Sequence, residues 1–177
     1  MSKEIWDVRD SFGNATGRYA TRGTAFPPDG YHLVVHVWKY NSHGEWLIDK
    51  RAPRATDRVQ GMWETTGGSA QSGEDSIKAA LRESKEELGL RLAKDKGEHF
   101  KRYNAPMEGG GTCIHDVWVF KCDCSETGLK LDSSEVAEAK WADAETIRQL
   151  ILNGEFWDVE YECFEKMIEM YTPLSAF

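Results

Sequence analysis

The sequence predicts one α/β domain of mixed (α+β) type, a mixed β-sheet with helices on both faces, and three observations predict it. The 177 residues suit a single compact core with no need of staples. Strand-like segments precede, surround and follow one well-bounded helical segment in mid-chain, and two more helical segments finish the chain. Turn chemistry separates the segments, with no internal repeat, low-complexity tract or long linker.

The elements follow in order. Residues 4–21 read as a hairpin: Glu4-Ile5-Trp6-Asp7-Val8 alternates, Asp10 to Gly17 carries turn residues, and Arg18 to Thr21 returns. Residues 1–30 therefore form an N-terminal hairpin extension. Pro27-Pro28-Asp29-Gly30 turns into a long apolar strand, Tyr31 to Tyr40, and Asn41-Ser42-His43-Gly44 closes it onto Glu45 to Arg51. A loop bearing Arg51, Arg54 and Arg58 leads to Met62-Trp63-Glu64 and then Gly67-Gly68. The central helix spans about Gly73 to Leu88. Strands are expected at 98–104 and 112–122, either side of Glu108-Gly109-Gly110-Gly111, with a short one at Lys140-Trp141. Helices at about Ala144 to Leu152 and about Asp158 to Tyr171 occupy 143–177, and 1–177 is one domain.

Composition narrows the function classes. At 40% hydrophobic and 29% charged, with seven Trp, the chain reads as a soluble globular protein. No stretch has the length of a membrane span, and Met1-Ser2-Lys3-Glu4-Ile5-Trp6 lacks the apolar run of a signal peptide, so a cytoplasmic protein without a membrane partner is expected. A net charge of −8 with no long Lys/Arg run argues against a nucleic-acid partner. The same charge repels a free polyphosphate, so a phosphorylated ligand would be bound through divalent cations. Cys113, Cys122, Cys124 and Cys163 show no zinc spacing, and Cys122-x-Cys124 reads as core or edge thiols before it reads as a metal pair.

The central helix carries the chemistry. Ser72 is the expected N-cap, with Glu74 and Asp75 at the positive helix end, and Gly89 suits a left-handed stop. At about 100° per residue, Ile77, Ala80, Leu81, Ser84 and Leu88 form one apolar stripe. Glu83, Glu86 and Glu87 stand at i, i+3 and i+4 and converge on a neighbouring face, while Lys78 and Lys85 lie opposite. Periodicity leaves two readings level: a solvated acidic face, or a hard-cation site whose ion relieves the repulsion among the carboxylates.

The spacing goes further. Gly68, five residues, Glu74, seven residues, Arg82-Glu83, two residues, Glu86-Glu87, one residue, Gly89, then Leu90 resembles the Nudix box at eight typed positions across 68–90. Ser84 departs from it, standing where a bulky aliphatic is usual; its hydroxyl can satisfy itself on the Ala80 carbonyl. The resemblance implies a Nudix-like α/β/α sandwich and a phosphoanhydride hydrolase, or pyrophosphatase, using Mg²⁺, with Mn²⁺ as the alternative. It implies that Glu83, Glu86 and Glu87 hold the metal with a backbone carbonyl near Gly67 or Gly68, and that Arg82 pairs with Glu74. The general base would come from the helix or from Glu135 or Glu138. For the substrate, Lys50, Arg51, Arg54 and Arg58 are candidate phosphate contacts, and Trp63 or Trp118 candidate ring contacts, against the plainer reading of surface counter-charge and pocket wall.

Beyond the box, Trp6-Asp7-Val8, the strand from Tyr31 to His36, Leu47 to Arg51 and Gly61-Met62-Trp63 resemble the isopentenyl-diphosphate isomerase-like branch of the Nudix superfamily. A true isomerase of that branch needs a cysteine shortly after the Trp63 segment and a metal-binding histidine near it. The chain reads Trp63-Glu64-Thr65-Thr66-Gly67-Gly68, so the isomerase reading fails there. His32 and His36 share a strand face and are expected to be packed or hydrogen-bonded rather than ligating. The substrate expected is a small-molecule diphosphate: a nucleoside di- or triphosphate or another nucleoside-diphosphate-linked compound. A non-catalytic nucleotide sensor is the second class, disfavoured because every box carboxylate is retained. The hairpin and the aromatic C-terminal helix either cover the core or supply a homodimer contact.

Overall fold

The computed structural model describes residues 4–53, 59, 61–107, 109–157 and 161–172. The elements are β1 (Ile5–Arg9), β2 (Ala15–Thr21), β3 (Tyr31–Tyr40), β4 (Trp46–Arg51), β5 (Trp63–Glu64), β6 (Gly67–Ser69), α1 (Ser76–Leu88), β7 (Gly97–Pro106), β8 (Thr112–Lys121), β9 (Val136–Ala142), α2 (Ala144–Leu152) and α3 (Tyr161–Tyr171). All the strands join one mixed sheet. Its spine is β3, parallel to β8 from Tyr31↔Thr112 to Tyr40↔Lys121 and antiparallel to β6 through Val35↔Gly68. β7 extends the β8 side, β9 and β5 flank β4, and β1–β2 is a hairpin joined to β3 at Arg9↔Tyr31.

The spine reads as a nearly continuous apolar run because both its faces are covered. Leu33, Val35 and Val37 pack with Ile77, Ala79 and Ala80 of α1. Trp38 points the other way, stacked on Phe156 with ring centroids 5.7 Å apart, in a cluster with Trp46, Ile147 of α2 and Phe164 and Met167 of α3. Burying each such side chain contributes about 1.5–3 kcal/mol. The two layers make the expected sandwich of helix, sheet and helix.

Several boundaries differ from expectation for local reasons. The N-cap of α1 is Asp75, whose side chain accepts from Lys78 N, because Ser72 is engaged elsewhere: its Oγ donates to Asp7 Oδ1 at 2.8 Å. Within the helix Ala79 is fully buried and Leu81 only partly, so the apolar stripe is rotated slightly from the expected one. Ser84 Oγ donates to the Ala80 carbonyl at 2.9 Å in the core, as anticipated. The short strand at Lys140-Trp141 is longer, because β9 finds partners along β4 from Trp46 to Arg51. Two 3-10 turns, at Lys94–Lys96 and Glu126–Gly128, were not anticipated. Among the described residues no helix is long and apolar enough to cross a membrane.

Candidate active site

The site begins with the way α1 is held. Gly89, at φ 71°, ends the helix and donates its N–H to the Lys85 carbonyl. At the other end the hairpin grips the preceding loop: Asp7 accepts from Ser72 Oγ and Gly73 N, Ile5 O accepts from Ser72 N, and Arg9 Nη2 donates to Glu74 O at 2.6 Å. The sheet therefore fixes where each glutamate of the helix stands.

Arg82 organises these glutamates. Its Nε and Nη2 donate to the two carboxylate oxygens of Glu74 at 2.8 and 2.9 Å, and Nη2 also reaches Ser69 O. Its Nη1 lies 2.9 Å from both Glu83 Oε1 and Glu86 Oε2. Burial works against the Arg82 charge, but the Glu74 hydrogen bonds and the adjacent Glu83 and Glu86 outweigh it and raise its pKa.

One guanidinium does not neutralise the cluster. Burial pushes the Glu83 carboxyl up to about 7 against the pull of Arg82, and Glu86 and Glu4 add to the rise. Glu87 is raised well above the usual carboxylate range, by burial first and then by Asp49, Glu83 and Glu64. Behind Glu87 lies a buried chain in which Lys39 Nζ donates to Thr66 Oγ1 at 2.5 Å and Thr66 Oγ1 donates to Asp49 Oδ2 at 2.8 Å. Burial lowers Lys39 to about 8 and raises Asp49, while each partly offsets the shift of the other.

Arg82 and the glutamates of α1 that follow it face a cleft of about 500 Å³. Its lining includes Glu83, Glu86, Glu87 and Arg82 of α1, Gly67, Gly68 and Ser69 of β6, and Arg51 and Glu135. Seven of the expected site residues, Glu83, Glu86, Glu87, Arg82, Gly68, Arg51 and Glu135, line this one cleft. Glu138 does not: it is exposed on β9, opposite Lys50 in the ladder. Lys50 and Trp63 also lie outside this lining; Trp63 is core, with Lys140 Nζ 4.2 Å and Lys50 Nζ 5.4 Å from its ring centroid. Trp118 is partly buried and donates to Ser76 Oγ at 2.8 Å. Arg54 and Arg58 lie outside the described residues.

Sequence reasoning missed Glu4, Arg22, Gln71 and Asp132, which also line the cleft. Glu4 and Arg22 arrive with the hairpin, paired at 2.8 Å. Burial would raise the Glu4 pKa, yet hydrogen bonds from Trp6 and Arg22 bring it below the usual value. Only Asp132 left a local signal, the Asp-Ser-Ser turn in which Ser134 N and Oγ donate to Asp132 Oδ1. His32 and His36 are hydrogen-bonded, to Ser69 Oγ at 2.9 Å and to His115 Nδ1 at 2.8 Å.

A divalent cation suits this donor set. Hard carboxylate oxygens are crowded on one side of the cleft with too little positive charge among them. Asp49 Oδ1 is buried without a hydrogen-bond partner among the described residues. A Cβ at Gly68 would run into the Glu83 carboxylate, so glycine there keeps the space before that carboxylate open. Among the described residues no three acidic, histidine or cysteine side chains are already gathered as a closed metal cage, and Glu86 is turned onto Arg82.

The chain is also similar to known proteins. The family model described as the NUDIX domain matches residues 30–164. A Nudix hydrolase of Listeria monocytogenes is 33% identical over 154 residues, 86% of this chain and 88% of the relative. An isopentenyl-diphosphate Delta-isomerase of Citrobacter koseri is 24% identical over 153 residues, 85% of this chain and 83% of the relative. The crystal structure of DR0079 from Deinococcus radiodurans shares the fold with a TM-score of 0.70 at 21% identity, covering 95% of this chain and 99% of that one.

Proposed function

The chain belongs to the Nudix family, and from that premise we propose that it hydrolyses a phosphoanhydride bond in a nucleoside-diphosphate-linked compound with Mg²⁺ or Mn²⁺. The observation that carries the proposal is the crowding of the Glu83 and Glu87 carboxylates in a cleft that also holds Arg51. Glu83, Glu87 and Glu86 would hold the metal, with the Gly68 carbonyl as a further ligand. Bound there, a divalent ion screens the diphosphate, polarises its oxygens and lowers the pKa of water. Arg82 holds Glu83 and Glu86 in position through its pairing with Glu74. Arg51, set by its two contacts to Glu64 at 2.8 and 2.9 Å, lines the same cleft and meets the incoming phosphates. Glu135, which lines the cleft where Glu138 does not, accepts the proton of the attacking water on a carboxylate oxygen.

Isomerase chemistry is not supported. The turn after Trp63 offers Thr65 and Thr66, whose hydroxyls donate to Val37 O and Asp49, and no thiol. The test is Mg²⁺- and Mn²⁺-dependent release of phosphate or pyrophosphate from a panel of diphosphate compounds, in the parent and in Glu87→Gln. Losing several kcal/mol of charge stabilisation lowers turnover on the order of a thousandfold. A Glu87→Gln protein as active as the parent overturns the metal role. Ligand binding with no turnover under either metal favours a sensor.

A further inference from the structure

A second, smaller cleft opens beside the first and shares Arg51, Gly67 and Gly68 with it. Its volume is about 110 Å³, and its other lining residues are Val34, His36, Glu64, Thr65 and Trp157. The two clefts differ in chemistry. The first is walled by carboxylates and guanidinium groups, whereas Val34, Trp157 and glycine backbone line much of the second.

Trp157 is held over this space by its backbone. Trp63 N donates to Glu155 O at 2.8 Å and Trp157 N to Trp63 O at 2.7 Å, a short parallel ladder around Phe156. Strand alternation then sends Phe156 into the core against Trp38 and leaves Trp157 on the outside, 43% exposed. An exposed tryptophan on a fixed backbone, at the rim of a cavity, is a ready stacking surface. His36 is held in a hydrogen-bonded pair with His115, itself stacked on Tyr103 at 4.7 Å, so side-chain contacts brace this part of the lining.

We infer that the second cleft is the ring-binding subsite, in which Trp157 stacks the planar base of a nucleotide whose phosphates run past Arg51 into the first cleft. The inference deepens the hydrolase reading above and takes its phosphate site from it. The size supports a flat ring: the cavity is well below the ~300 Å³ at which pockets for drug-sized ligands begin. The charged pair in its lining, Arg51 and Glu64, suits the heteroatom edge of a base better than a prenyl tail, which would strip water from both charges.

The experiment titrates AMP and CMP, which have no anhydride to be cleaved, into the parent, Trp157→Ala and Trp157→Phe by calorimetry, with inorganic phosphate as the ringless probe. Stacking on an aromatic makes the expected loss in Trp157→Ala about tenfold in nucleotide affinity, with most of it recovered in Trp157→Phe. The loss on inorganic phosphate should be much smaller than the loss on nucleotide. Equal nucleotide affinity in all three proteins, no nucleotide binding to the parent, or an equal loss on phosphate and nucleotide overturns the subsite. Turnover of ADP is measured alongside. Turnover with Trp157-independent nucleotide binding overturns the subsite alone, whereas Trp157-dependent binding with no turnover of ADP or of any compound of the diphosphate panel supports the subsite and overturns the hydrolase reading.

Discussion

Two buried aspartates in the same sheet are treated in opposite ways. Asp116 on β8 stands opposite Arg102 of β7, which donates to both its oxygens at 2.6 and 2.8 Å, and His99 adds a contact at 3.0 Å. Burial would raise its pKa, but the hydrogen bonds from Arg102, Ser76 and His99 and the Arg102 charge bring it below the usual value. Asp49 on β4 stands opposite another acid, Glu64 of β5, and has one oxygen with no partner among the described residues. Its pKa is raised, as is that of Glu87 in front of it. The first is a finished ion pair that closes a strand ladder. The second belongs to a buried set of carboxylates still short of positive charge, and Glu87 of that set lines the cleft. A buried acid is therefore informative through the balance of its neighbours, and an imbalance beside a cleft points to an external cation.

The largest effect that should sharpen this contrast is stabilisation by the missing charge. With Mg²⁺ or Mn²⁺ at about a hundred times its Kd, stability should rise by about 2.7 kcal/mol, read as an upward shift in thermal unfolding. Asp116→Asn should keep that shift and Glu87→Gln should lose most of it. A parent whose unfolding does not move with either ion would break the contrast at its acidic end. Next in size is the structural pair itself. Asp116→Asn leaves Arg102 facing a neutral amide, and should cost roughly 2 kcal/mol in urea unfolding without metal, a figure discounted because Arg102 is partly exposed. A cost near zero would show that the ladder closes as well without the ion pair.

Much of this was legible in the sequence where one element carries the whole signal. The long strand from Tyr31 to Tyr40 and the helix from Ala144 to Leu152 fall where apolar content and caps put them. The glutamate spacing on α1, its stop at Gly89 and the pairing of Arg82 with Glu74 are all local to one helix and the loop before it. What was not legible depends on contacts across the chain. Ser72 had the right chemistry for an N-cap but is taken by Asp7, from a hairpin far away in sequence. Glu4 and Arg22 reach the cleft only because that hairpin docks on the loop before α1. Glu135 and Glu138 look alike as letters; the pairing of β9 with β4 leaves Glu138 exposed opposite Lys50, while Glu135 lines the cleft. Trp63 and Trp157 make the same point, since the more conspicuous tryptophan is core and the overlooked one stands at a rim.

The smallest effect tests whether Asp116 is held as a carboxylate at all. Its folded pKa lies below the ordinary 3.8, so the folded state binds that proton less readily than the unfolded chain does. The stability it contributes is therefore fully present above pH 3.8 and is lost as the pH falls through the folded value. Asn cannot titrate, so the stability gap between the parent and Asp116→Asn should stay constant from neutral pH down to about that point and narrow below it. Urea unfolding of both proteins across this range measures the gap directly, and other carboxylates common to the two cancel in the difference. A gap that is constant throughout would mean that Asp116 is held by shape and neutral hydrogen bonds, which an amide reproduces in part. A gap that narrows on the acid side ties the stability to the charge on Asp116 and to its partner Arg102, and so keeps the finished pair distinct from the unfinished cluster behind Glu87.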